Sequence, residues 1–181
     1  GSSEGWVASS GGVIALGQPV GTMAWLPSNN TPADKATFDI ALTIPTEMNG
    51  LPAAGVSNGE LISRTASDDG LETTWVWKQL NQQATMSTMI GIGNYDIYED
   101  EVTLLDGRVI PEWTFVDATL SEGAKATTET RRQDIQQITQ FLETKYGPYP
   151  GNSTGFIVHR SNVGYALETQ DLSYFPNTPG A

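Results

Sequence analysis

The alternation of apolar and polar positions divides the chain into two stretches of different period. Up to about residue 117 the pattern is short and strand-like. Runs of β-branched and aromatic residues are punctuated by Asn49-Gly50, Asn58-Gly59, Asp69-Gly70 and Asp106-Gly107. Such pairs tolerate positive φ and suit tight hairpins. The pattern predicts strands over 36–44, 59–64, 72–78, 85–91, 101–105 and 108–116. Val102 to Leu105 and Arg108 to Ile110 flank Asp106-Gly107 as the arms of a two-residue hairpin. Pro111 lacks a backbone donor and predicts an edge position or a break.

Beyond residue 120 the period lengthens. Residues 127–146 contain neither Gly nor Pro, and Ile135, Ile138, Phe141, Leu142 and Tyr146 recur at spacings of three and four. This predicts one long helix with an apolar face. Thr128 is placed to cap its start and Glu129 to favour its positive end. Gly147-Pro148 stops it. Residues 155–159 and 165–170 read as two further strands. The predicted fold is mostly β: a twisted antiparallel sandwich or saddle, then one long helix and a short strand pair. The change of period places a domain boundary at 118/119, giving units of 1–118 and 119–181.

Composition narrows the function classes. The chain has 181 residues, 38% hydrophobic and 17% charged, enough to bury a core. Its net charge of −12 opposes binding to nucleic-acid backbones and anionic membrane surfaces. No apolar run is long enough to span a membrane. The absence of cysteine excludes disulfides and thiolate metal ligands. Abundant Thr, Ser, Asn and Gly with few lysines lean toward an extracellular setting.

Candidate chemistry is sparse. One histidine, His159, cannot build a catalytic zinc site, which takes about three protein ligands. There is no H-E-x-x-H, G-x-S-x-G or Walker loop. His159 is therefore expected to be a satisfied or solvent-facing residue. Trp75 and Trp77 share one face of a predicted strand, as core packing or as an aromatic platform for a sugar. The platform would make the chain a standalone β-sandwich binding module for a glycan or protein. Glu168, by itself, is an acid on a short strand.

Three segments give Glu168 a context. Gln18-Pro19 through Pro27, followed by Thr31-Pro32-Ala33-Asp34-Lys35-Ala36-Thr37-Phe38, resembles the E-P-x-x-A-R-x-x-F-P-C-x-D-E-P-x-x-K-A-T-F signature of the aminopeptidase N family of zinc metallopeptidases (gluzincins). Phe141 to Pro150 is similar to its Y-F-G-x-P-Y-P segment. Gly164-Tyr165-Ala166-Leu167-Glu168-Thr169-Gln170 stands in the place of its G-A-M-E-N motif and is similar to a bacterial branch. Tyr165 replaces the motif's first Gly and Thr169 its Asn; Asn30 and Thr31 replace the signature's Asp-Glu pair.

The resemblance implies a piece of a zinc aminopeptidase that removes N-terminal residues from peptides. Glu168 would bind the substrate's free α-amine, and backbone near Tyr165 and Ala166 would pair with the extended peptide. Gln18, where many members carry an acid, would offer its carbonyl oxygen to the same amine. The zinc and its H-E-x-x-H would belong to the remainder of the polypeptide. The 181 residues alone would hold no cofactor and no activity, and a sheet edge would await a partner strand.

Overall fold

A computed structural model describes residues 4–177. In chain order the strands are β1 (Gly5–Ala8), β2 (Gly12–Leu16), β3 (Lys35–Pro45), β4 (Glu47–Met48), β5 (Leu51–Pro52), β6 (Ala54–Ser57), β7 (Glu60–Ala66), β8 (Glu72–Ala84), β9 (Ile90–Gly93), β10 (Tyr95–Thr103) and β11 (Val109–Asp117). Helices α1 (Glu122–Gln133) and α2 (Ile135–Tyr146) follow, then β12 (Thr154–His159) and β13 (Ser173–Pro176). The fold is mostly β, as the period-two pattern predicts.

Three sheets enclose the main core. One has the order β1-β2-β9-β6, one β3-β8-β7, and one β10-β11-β12-β13, with β4-β5 as a small ribbon. The first two are antiparallel. The third is mixed: β10 runs antiparallel to β11, while β12 and β13 are parallel additions. One face of each contributes to a cluster that includes Ile14, Leu16, Val56, Trp75, Trp77, Phe115, Ile157 and Tyr174. Trp77 meets Phe115 edge-on at 5.9 Å and donates its indole N–H to the Gly55 carbonyl. That bond removes the cost of burying the one polar atom of the ring.

Turn chemistry settles most strand ends. Asn49 and Gly50, at φ 52° and 73°, form the two-residue link between β4 and β5. The hairpin at Asp106-Gly107 exists but is longer than the two residues expected. Thr103 faces Val109, Leu104 N donates to the Arg108 carbonyl, and Gly107 takes φ 87°. This is a three-residue connection whose last residue occupies the left-handed region. Pro111 precedes Glu112, where pairing with β12 begins, so its missing donor interrupts no bond on that side. The strand expected over 85–91 is a 3-10 turn at Thr85–Ser87 and then β9.

The single long helix is two consecutive helices that meet at Asp134. Helix α1 starts earlier than expected. Its N-cap is Ser121, whose Oγ accepts from Ala124 N at 3.3 Å. Thr128 lies inside the helix and donates to the Ala124 carbonyl at 2.9 Å. Gly123, a poor helix former, had hidden the true start. Gly147 ends α2 as expected, with φ 92° and its N–H on the Glu143 carbonyl.

The helices cover one face of the mixed sheet, opposite the main core. Register puts Asp96, Tyr98, Asp100 and Val102 of β10 on that face, with Ile110, Glu112, Thr114 and Val116 of β11. It puts Phe156 and Val158 of β12 and Ser173 and Phe175 of β13 there too. Helix α1 is tied down by charge. Lys125 pairs with Asp96 at 2.7 Å. Arg132 reaches Asp100 at 3.1 Å and Glu112 at 3.4 Å, and lies over the Tyr98 ring.

Helix α2 departs most from its sequence pattern. Its buried residues are Thr139 and Glu143. Glu143 accepts from Leu105 N at 2.8 Å and Tyr149 N at 3.0 Å, and Gln140 donates to the Thr103 carbonyl. Only Ile135 of the expected apolar face packs on the small Val102–Leu104–Ile110 cluster. Ile138, Phe141, Leu142 and Tyr146 are 49%, 59%, 45% and 85% exposed.

Candidate substrate-anchoring site

Residues 164–170 form no regular strand, contrary to expectation. The strand partner of β12 is β13, at Ser173–Pro176. The segment nevertheless folds back along β13 through one antiparallel bridge, Leu167 with Tyr174. Leu167 N donates to the Tyr174 carbonyl at 2.9 Å, and Tyr174 N returns the bond at 2.8 Å. Leu167 and Thr169 are buried, while Ala166 and Glu168 are exposed and Tyr165 is half-buried. The segment thus keeps the inside–outside alternation of a strand without its length.

Its far end is pinned. Thr169 Oγ1 donates to the Leu172 carbonyl, and Asn58 donates to the Gln170 carbonyl at 2.7 Å. Asp171 turns the chain at φ 64° and accepts from Gln79 Nε2 at 2.5 Å. The carboxyl of Asp171 is held above the usual carboxylate range by burial.

Gln18 is exposed and begins the turn after β2; the Gln18-Pro19 peptide is cis. Asn30 Nδ2 donates to the Pro19 carbonyl at 2.8 Å, and Val20 N donates to Glu4 Oε2 at 3.1 Å. Gly21 cannot be replaced here, since a Cβ would lie 2.1 Å from the Leu16 carbonyl and 2.4 Å from Gly5 N. The Glu4 carboxylate also acts on Tyr165, whose phenol is raised by burial and then by the Glu4 charge. Glu4, which no motif singled out, therefore links the Gln18 turn to the start of the 165–168 segment. A bridge 160 residues away in sequence leaves no local signal.

Two other expectations are settled by burial. Trp75 and Trp77 are 2% and 1% exposed, so the sugar-platform reading is overturned: both indoles belong to the core. His159 is a satisfied core residue. Ser9 Oγ donates to the Gly12 carbonyl, which leaves His159 Nε2–H to donate to Ser9 at 2.9 Å. Nδ1 then accepts from Tyr95 OH at 2.6 Å. Burial pushes the imidazole down to about 4, against the opposing Asp117 charge.

Among the described residues no site fits zinc. The nitrogens of the one histidine are both engaged, and among the described residues no three His, Cys, Asp or Glu side chains gather as ligands. No helix among them is long and apolar enough to cross a membrane.

No family model and no curated protein matches the sequence. Solved structures do match the fold. The M1 zinc metallopeptidase from Deinococcus radiodurans aligns with a TM-score of 0.84 at 24% identity, over 98% of this chain and 38% of that one. A variant of that enzyme bound to a Tyr-Ser-Ala substrate aligns at 0.81 over 96% of this chain. Legionella pneumophila aminopeptidase A, in complex with aspartic acid, aligns at 0.79 and 15% identity, over 95% of this chain and 19% of its own length. The chain therefore has the fold of the N-terminal part of these M1 zinc metallopeptidases. The chain spans about two fifths of the length of the Deinococcus enzyme.

Proposed function

We propose that this chain is the substrate-anchoring, non-catalytic part of a zinc aminopeptidase, and that Glu168 receives the α-ammonium of a peptide's free N-terminus. The observation that carries the reading is the 164–170 segment. It is held to β13 by the Leu167–Tyr174 bridge with Ala166 and Glu168 turned outward. The ordered motifs and the shared fold add support.

In this reading the Glu168 carboxylate makes a charge-assisted bond to the ammonium, which fixes the distance from the chain end to the cut. The Gln18 carbonyl oxygen takes a second ammonium proton. Backbone groups at Tyr165 and Ala166 pair with the extended peptide. Zinc, held by residues outside this chain, would supply the activated water and polarise the scissile carbonyl. Residues 119–181 then open the catalytic domain, joined to the 1–118 β domain through the β11–β12 pairing.

The test is Glu168→Ala in the polypeptide encoded by the complete reading frame. The variant is expected to raise KM for aminoacyl substrates by about a hundredfold, the scale of one lost charged contact of about 3 kcal/mol. An unchanged KM removes Glu168 from the site.

A further inference from the structure

The segment that carries Glu168 is held at its far end by two buried side-chain amides from a distant part of the chain. Asn58 lies in the turn between β6 and β7, and Gln79 lies on β8; they are 1% and 2% exposed. Gly59, at φ 89°, lets that turn lie against β8, where a Cβ would stand 2.1 Å from the Lys78 carbonyl oxygen. Each amide uses its oxygen locally. Asn58 Oδ1 accepts from Met89 N at 2.7 Å, and Gln79 Oε1 accepts from Asn81 N at 2.9 Å. Those backbone donors fix which way each amide faces, because only its oxygen can accept. The NH2 groups therefore point across to the segment. Asn58 Nδ2 donates to the Gln170 carbonyl at 2.7 Å, and Gln79 Nε2 donates to Asp171 Oδ2 at 2.5 Å.

Glu168 thus sits between two fixed points. On one side Leu167 exchanges both backbone bonds with Tyr174. On the other, Asn58 and Gln79 grip the Gln170 carbonyl and the Asp171 carboxylate. Thr169, between them, is buried and has its N–H on the Leu167 carbonyl at 3.0 Å. The segment has no strand ladder of its own, so these few bonds set its direction and with it the place of the Glu168 carboxylate. Burying an amide costs free energy unless it is bonded, and both amides direct their donors to the two residues that close this segment. We infer that Asn58 and Gln79 are positioning residues for substrate binding: they hold the segment so that Glu168 meets the α-ammonium, without touching the peptide themselves. The inference rests on the reading of Glu168 as the amine anchor.

Isosteric acids test it in the polypeptide encoded by the complete reading frame. Gln79→Glu and Asn58→Asp keep the oxygens for Asn81 N and Met89 N and lose the donors to the segment. The carboxyl introduced by Gln79→Glu faces Asp171, with Glu60 and Tyr149 as the neighbouring titratable groups. Two carboxyls so close share a proton in acid, which restores the bond, and repel once both ionise. KM of Gln79→Glu is therefore expected to match the parent on the acid side. It should rise about tenfold as the pair ionises, with kcat within about twofold. Asn58→Asp should raise KM by a similar factor at neutral pH. In the Glu168→Ala background each change should add less than about twofold, because the anchor they position is gone. Parent-like KM in both variants, with Glu168→Ala still raising it, overturns the inference and leaves the anchor. So does a full tenfold effect added to that of Glu168→Ala, since the amides then act elsewhere. A rise in Gln79→Glu that persists in acid overturns it as well, because damage to the fold then accounts for it. An unchanged KM in Glu168→Ala removes the anchor itself, and the inference with it.

Discussion

The sandwich and the helix layer solve the burial problem by opposite means. In the sandwich, three sheets turn aromatic and aliphatic side chains inward, and Trp77, Phe115, Ile157 and Tyr174 are fully enclosed. Some of its buried polar atoms, such as the Trp77 indole N–H and His159, are bonded within the core, whereas the Trp75 indole N–H has no hydrogen-bond partner among the described residues. In the helix layer, charged and polar side chains face the sheet and the apolar stripe of α2 faces out. The sandwich looks finished by its own sequence. The helix layer leaves Ile138, Phe141, Leu142 and Tyr146 largely exposed. Burial of apolar area, and not the presence of an amphipathic pattern, distinguishes a core from an interface.

The contrast can be broken most forcefully at Trp77. Trp77→Ala leaves a cavity at the meeting of three sheets and is expected to cost about 3–5 kcal/mol in a urea melt. A loss below 1 kcal/mol would mean that the sandwich core does not carry the fold.

Acid tests the same half of the molecule. His159 is neutral when folded down to about pH 4, whereas the unfolded chain takes up a proton below its ordinary 6.5. The unfolded state therefore gains protons first as the pH falls. Stability should be constant above about pH 6.5, decline by up to about 3 kcal/mol between 6.5 and 4, and gain no further loss from this group below that. His159→Gln should flatten that window.

In the helix layer the strongest single effect is expected at Arg132. Its loss strands the buried Glu112 carboxylate, already held above the usual carboxylate range by burial. Arg132→Ala should cost about 2 kcal/mol, less than a fully buried pair because the Asp100 side is open to water. Adding Glu112→Gln should recover part of it. Leu142→Ala, by contrast, should cost less than about 1 kcal/mol in the 181-residue chain, since its side chain is 45% exposed. A loss comparable to Trp77→Ala would close the gap between the two regions.

Much of the strand architecture was legible because strand signals are local. Turn pairs such as Asn49-Gly50 demand positive φ, and alternation assigned Trp75 and Trp77 to one face. The helix stop at Gly147 was equally local. The start of α1 was not, because Gly123 argued against it while Ser121 capped it from further back. For the candidate anchoring site, Gln18 and residues 165–168 came from motif order alone. Glu4, which reaches toward both, was invisible to any pattern.

The sequence by itself determined the period of each segment, many of the turns and the poverty of metal ligands, and it offered Glu168 as the candidate acid. Only the tertiary structure decided which side of a pattern faces in. It buried the two tryptophans, replaced the strand at 165–170 with a single bridge, and turned α2 so that its apolar stripe looks outward. The physical reason is that periodicity records that a face exists, while its direction depends on partners far away in sequence. For α2 those partners are backbone groups of the β10–β11 hairpin at Thr103 and Leu105, which Gln136, Gln140 and Glu143 satisfy from the inner side of the helix.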